Sequence, residues 1–110
     1  MATTYKVLGQ LANAATTLED LYTVPVSTAA VISTIVVSNA NASARTFRLA
    51  VIKSGETVGA KSYVAYDVTV GANDSTALTL GITLAAGDKI QGYSSAATSL
   101  AMTAFGSEIS

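Results

Sequence analysis

Clusters of Gly, Asn, Asp and Ser cut this chain, about every ten residues, into short apolar runs. Asn39-Ala-Asn-Ala-Ser43, Ser54-Gly-Glu56, Gly71-Ala-Asn-Asp74 and Ala86-Gly-Asp88 are the clearest of them. Such residues tolerate φ > 0 or hydrogen-bond their own backbone, so they turn the chain. A packed helix needs apolar positions at 3.6-residue spacing over several turns. No window has such a stripe with caps; residues 11–21 leave room for one short helical turn. Runs this short and this evenly punctuated predict an all-β chain, a sandwich or a barrel.

The expected strands are residues 4–10, 18–24, 30–38, 46–53, 62–70, 76–84, 89–94 and 99–105, about eight in all. Phe47, Leu49 and Val51 alternate with Thr46, Arg48 and Ala50. Val64, Tyr66, Val68 and Val70 alternate with Tyr63, Ala65, Asp67 and Thr69, and Leu78 and Leu80 with Ala77 and Thr79. Residues two apart share a face of a strand, so each apolar series is a candidate core lining. The run from Ile32 to Val37 breaks alternation at Thr34, which reads as a strand buried on both faces. Pro25 ends a strand, since it cannot donate to a ladder. At 110 residues there is room for one core, so residues 1–110 are expected to form a single domain.

Composition bears on what the surface does. Charged residues are 12% of the chain, where a soluble domain carries about 25%. A net charge of −1 gives little mutual repulsion, and a low net charge favours association. Both point to a subunit whose surface is covered in an assembly. The 24 uncharged residues 21–44 hold Pro25, Asn39, Asn41 and seven Ser or Thr, too polar for a spanning helix, and read as two strands and a turn. No signal peptide or membrane anchor is expected, since Val7-Leu8 is too short an apolar region before Ala12-Asn13-Ala14.

The residues of common catalytic sites are scarce. There is no His and no Cys, so imidazole bases, thiol nucleophiles and sulfur metal sites are ruled out. Seven carboxylates remain, Glu19, Asp20, Glu56, Asp67, Asp74, Asp88 and Glu108, most of them in expected turns where capping explains them. Residues 55–62 approach a phosphate-binding loop, but Ala60 replaces its second glycine and strands flank it on both sides. The chain is expected to be no enzyme, with no cofactor and no metal. Arg45, Arg48 and Lys53 form its one basic cluster. Alternation sets Arg48 opposite Phe47, so no aromatic-basic platform is expected, and with this net charge no nucleic-acid partner. Five tyrosines, Tyr5, Tyr22, Tyr63, Tyr66 and Tyr93, are the candidate interaction residues, because Tyr joins a large contact area to a polar tip. Phe105 and Ile109 join them near the end of the chain, since terminal segments stay ordered when tied down.

The order of phrases adds a resemblance. Thr4-Tyr-Lys-Val-Leu-Gly-Gln10 is followed by Leu21-Tyr-Thr-Val-Pro25, Val31-Ile-Ser-Thr-Ile-Val-Val-Ser-Asn39 and Phe47-Arg-Leu-Ala-Val51. Tyr63-Val-Ala-Tyr-Asp67, Leu78-Thr-Leu-Gly-Ile-Thr-Leu84, Gly87-Asp-Lys-Ile90 and Phe105-Gly-Ser-Glu-Ile109 complete the series. Across the whole chain this resembles small virion structural proteins of tailed bacteriophages, which serve as capsid decoration, collar, neck or tail appendages. The segment from Leu84 to Ile90 is also similar to a phrase of trimeric jelly-roll modules. The resemblance implies an antiparallel, jelly-roll-like sandwich, made in a host cytoplasm and placed on a virion. Its implied partners are copies of itself, a trimer first, and other virion proteins. The alternative is a fibre-borne module that binds a host receptor or glycan through a tyrosine cluster at one exposed end.

Overall fold

The computed structural model describes residues 2–110. Nine strands follow one another: β1 (Thr3–Ala12), β2 (Glu19–Thr23), β3 (Ala29–Asn39), β4 (Arg45–Ile52), β5 (Tyr63–Val70), β6 (Asp74–Leu78), β7 (Ile82–Leu84), β8 (Lys89–Ser94) and β9 (Leu100–Ile109). A three-residue 3-10 helix, Ala60–Ser62, precedes β5.

The pairing is that of one long hairpin. β1 pairs with β9, β2 with β8, β3 with β6 and β7, and β4 with β5, all antiparallel. Rolling that hairpin up adds the pairs β3–β9 and β4–β8. Two sheets result, one ordered β1-β9-β3-β6 with β7 also on β3, the other β2-β8-β4-β5. This is the jelly-roll form of the antiparallel sandwich. Between the layers lie Leu8, Ile32, Ile35, Val37, Phe47, Leu49, Val70, Ile90, Leu100 and Met102, all buried.

Bulges correct the expected faces. The extra residue Ser33 shifts β3 against β9 between Ile32 and Thr34. Ile32 and Ile35, three apart, therefore both reach the core, while Thr34 and Val36 stay half-buried on the outer face. The strand is thus inward on one face, and its irregular pattern marks a bulge. In β5 the register shifts twice, around Val64 and around Tyr66 and Asp67. Asp67 takes φ +52° at the second shift. Val68 and Val70 keep the core side, but Val64 and Tyr66 turn outward, 47% and 56% exposed, and Ala65 packs inward instead.

Two expected bounds also move. Residues 76–84 are two strands, because the chain leaves the sheet after Leu78 and turns at Gly81, with φ +65°. Leu78 remains against the core and Leu80 is 47% exposed. The last strand runs on to Ile109, held between β1 and β3. Residues 13–18 form a bend with no helical turn. Buried Asn13 pins that bend, its amide donating to the Gly92 and Thr17 carbonyls at 2.9 and 3.1 Å.

Candidate functional site

The outer face of the β2-β8-β4-β5 sheet gathers three of the five tyrosines. Arg48 on β4 lies directly across from Tyr93 on β8. On its other side the β5 bulge brings Tyr66 and Asp67 out to meet it. Arg48 binds Asp67 with two nitrogens, Nε to Oδ1 at 2.6 Å and Nη2 to Oδ2 at 3.3 Å. Its guanidinium carbon lies 4.1 Å from the Tyr66 ring centre and 4.5 Å from that of Tyr93. Tyr63 meets Tyr66 edge to face, with ring centres 4.9 Å apart. An aromatic-basic cluster therefore exists, contrary to the sequence expectation. Alternation did set Arg48 opposite Phe47, but the bulge supplied Tyr66 to the same outer face. Asp67 neutralises the arginine, so the cluster has no spare positive charge for a phosphate backbone.

The other sheet carries a second surface. Tyr5 is 84% exposed, Val7 49% and Phe105 39%. Val7 pairs across the ladder with Phe105 and Tyr5 with Ser107, so these side chains share the outer face. With Val31 and Ser33, Tyr5 and Phe105 line a shallow groove of about 460 Å³. A Cβ at Gly106 would collide with the Val31 carbonyl oxygen, so glycine lets the backbones meet under this groove. The Ser33 hydroxyl donates to the Phe105 carbonyl at 3.1 Å. Ile109 is half-buried at the far end of β9 and pairs with Thr3 and Ala29.

Tyr22 belongs to neither surface. It is buried, and its hydroxyl donates to Glu108 Oε2 at 2.6 Å. Lys6 Nζ lies 3.0 Å from Glu108 Oε1. The Tyr22 bond first, then Lys6, hold the Glu108 carboxyl below the usual range, while burial and Glu108 push the Tyr22 phenol up.

The other carboxylates have separate structural partners. Glu19 accepts from the Ala15 amide, Asp20 from Gln91, and Asp88 from the Ser54 and Ala85 amides. Glu56 pairs with Lys61, and Asp74 accepts from the Ser75 amide. Among the described residues no three acidic side chains come together as metal ligands. Residues 55–62, the near phosphate loop, form a turn and the 3-10 helix between two strands, without the long helix that such a loop requires. No helix of the described residues is long and apolar enough to cross a membrane.

Buried Asn39 is a structural residue that the sequence showed only as turn chemistry. Its amide donates to the Ser43 carbonyl at 2.9 Å, and its Oδ1 accepts the Asn41 amide at 3.0 Å. Asn41 in turn donates to the Ser99 carbonyl at 2.7 Å, tying that end of the sandwich together. The signal available was a pair of Asn residues flanking the end of an apolar run.

No protein-family model matches the sequence, and no curated protein sequence matches it. In fold the chain is similar to one from the structure of infectious bursal disease virus, Gx strain. That likeness covers 97% of this chain at a TM-score of 0.55 and 13% identity. The chain spans about a third of the viral one, 32% of its length. At this identity the comparison shows a shared sandwich fold.

Proposed function

We propose that this protein is a non-enzymatic structural subunit of a tailed-phage particle. It is a one-domain, homo-oligomeric accessory protein on the virion exterior, a trimer in the form its resemblance implies. Its place is that of a capsid decoration or cement protein, or of a collar-neck protein. The observation that carries this reading is the jelly-roll sandwich, similar over 97% of its length to a chain of a virus structure. The low charge and the exposed Tyr5, Val7 and Phe105 support it, since apolar surface of this kind suits subunit contacts. Its work is mechanical: many copies bridge neighbouring subunits, and contacts that must break together give avidity. Synthesis in a host cytoplasm agrees with a cysteine-free chain. Protein analysis of gradient-purified particles tests the proposal, which expects many copies per particle. Confinement of the protein to the particle-free lysate refutes it.

A second reading has an observation of its own. Tyr63, Tyr66 and Tyr93 around Arg48 form an aromatic cluster with polar tips, the chemistry that packs against sugar rings. On that reading the protein is a fibre-borne module for a host receptor or glycan. The cluster lies on a sheet face and not at one end of the domain. Binding on a glycan array that is lost in Tyr66→Ala supports this reading, and silence of the wild-type protein refutes it.

A further inference from the structure

The hydrogen-bond phase of β1 identifies a free edge. Ala2 and Ser110 exchange both of their backbone bonds, at 2.6 and 2.9 Å. Bonded pairs alternate along an antiparallel ladder, so the next ones toward the bulge are Thr4 with Glu108 and Lys6 with Gly106. Thr3, Tyr5 and Val7 therefore aim their N–H and C=O groups away from β9. Among the described residues no strand pairs with them there, and residues 3–7 are all exposed.

The other sheet edges are blunted. β5 is distorted by two register shifts, β2 opens on Glu19 and Asp20, and β6 is five residues long and opens on Asp74. Short strands, bulges and charges are the usual devices that keep edges apart. β1 has ten residues, and Thr3 to Val7 hold no proline. Their one charge, Lys6, is ion-paired with Glu108 of the same chain.

We propose that this edge binds the same edge of a second copy, antiparallel and centred on Tyr5. It deepens the oligomeric reading above and rests on it for the claim that copies meet. The sequence register selects the occupant, because the edge is complementary to itself. With Tyr5 opposite Tyr5, Thr3 falls opposite Val7 of the second copy, and all three are bonded positions. The three free donors and three free acceptors of each copy are then satisfied together. Lys6 falls opposite Thr4 and diagonal to Lys6 of the second copy, and each lysine keeps Glu108 of its own chain as counter-ion. The two Tyr5 rings become cross-strand neighbours on the outer face, beside the groove lined by Val31 and Phe105. The contact is isologous, so it joins copies in pairs; where trimers form through other faces it joins two trimers.

Light scattering across a hundredfold concentration range tests this with wild type and Tyr5→Lys. The lysine replaces an exposed side chain and sets two like charges face to face. The wild type is expected to reach an even number of 11.1 kDa chains, and Tyr5→Lys to halve that mass at equal concentration. A wild-type trimer unchanged by Tyr5→Lys overturns the edge contact and leaves the assembly reading standing. A monomer at every concentration overturns the contact, and particle analysis still decides the virion reading. Register is tested by single cysteines, since the chain has none of its own. Tyr5→Cys should cross-link to itself, and Thr3→Cys to Val7→Cys at least tenfold faster than Thr3→Cys to itself. Equal rates for these last two overturn the proposed register.

Discussion

The Tyr22 hydroxyl donates to Glu108 at 2.6 Å across 86 residues of sequence, joining β2 of one sheet to β9 of the other. Lys6 on β1 holds the second carboxylate oxygen. A hydrogen bond to a charged group contributes about 1.5–3 kcal/mol, and removing one partner leaves the other unsatisfied. Tyr22→Phe is therefore expected to lose about 2 kcal/mol in urea unfolding. Lys6→Ala should lose less than about 1 kcal/mol, because that pair is partly open to water.

Acid should weaken the same contact. The Glu108 pKa is depressed in the folded protein, by Tyr22 first and then by Lys6. Its contribution is then full above the unfolded value, about 4.3, and is lost as pH falls through the lower folded value. Asp88, held down by the Ser54 and Ala85 amides, has the same sign. Melting temperature should therefore fall as pH drops below about 4.3, and Glu108→Gln should flatten that fall. An acid limb identical in Glu108→Gln and wild type would remove Glu108 from the account.

Asn39→Asp should be among the most damaging single changes. The Asn39 amide faces the Ser43, Val70 and Gly71 carbonyls at 2.9–3.2 Å in a buried site. A carboxylate there has no hydrogen to donate and sets its charge against carbonyl oxygens. A loss of about 3 kcal/mol or more is expected in urea unfolding. A change within about 0.5 kcal/mol, ordinary for a surface site, contradicts the role given to Asn39.

Thr98 points the other way. It takes φ +51°, a region that costs a β-branched residue about 1–2 kcal/mol. Its amide donates to the Asn13 carbonyl at 2.7 Å, and glycine keeps that bond. After the extra freedom of glycine in the unfolded chain, Thr98→Gly should gain about 0.5–1 kcal/mol, read as a higher melting temperature.

The sequence showed the layers well and the bulges poorly. Punctuation by Gly, Asn and Asp placed most strands within a few residues, and Phe47 and Leu49 pointed inward as alternation required. Alternation assigns faces by a strict period of two, so it failed where an inserted residue broke that period, at Ser33 and again at Tyr66 and Asp67, where φ > 0 falls on an ordinary aspartate. That same bulge built the Arg48 cluster, and so the cluster was illegible for the reason the face was misread. Tyr22 was grouped with the surface tyrosines because composition cannot tell a rim hydroxyl from one bonded to a carboxylate 86 residues away. The nested order of the strands was also out of reach, since sandwiches of different topology share one periodicity.

Antibody labelling of intact, purified particles in the electron microscope tests the central claim most directly. An accessory subunit on the exterior predicts label at many regularly placed positions on unbroken virions. Unlabelled intact particles, with the protein recovered only from the surrounding lysate, would contradict it.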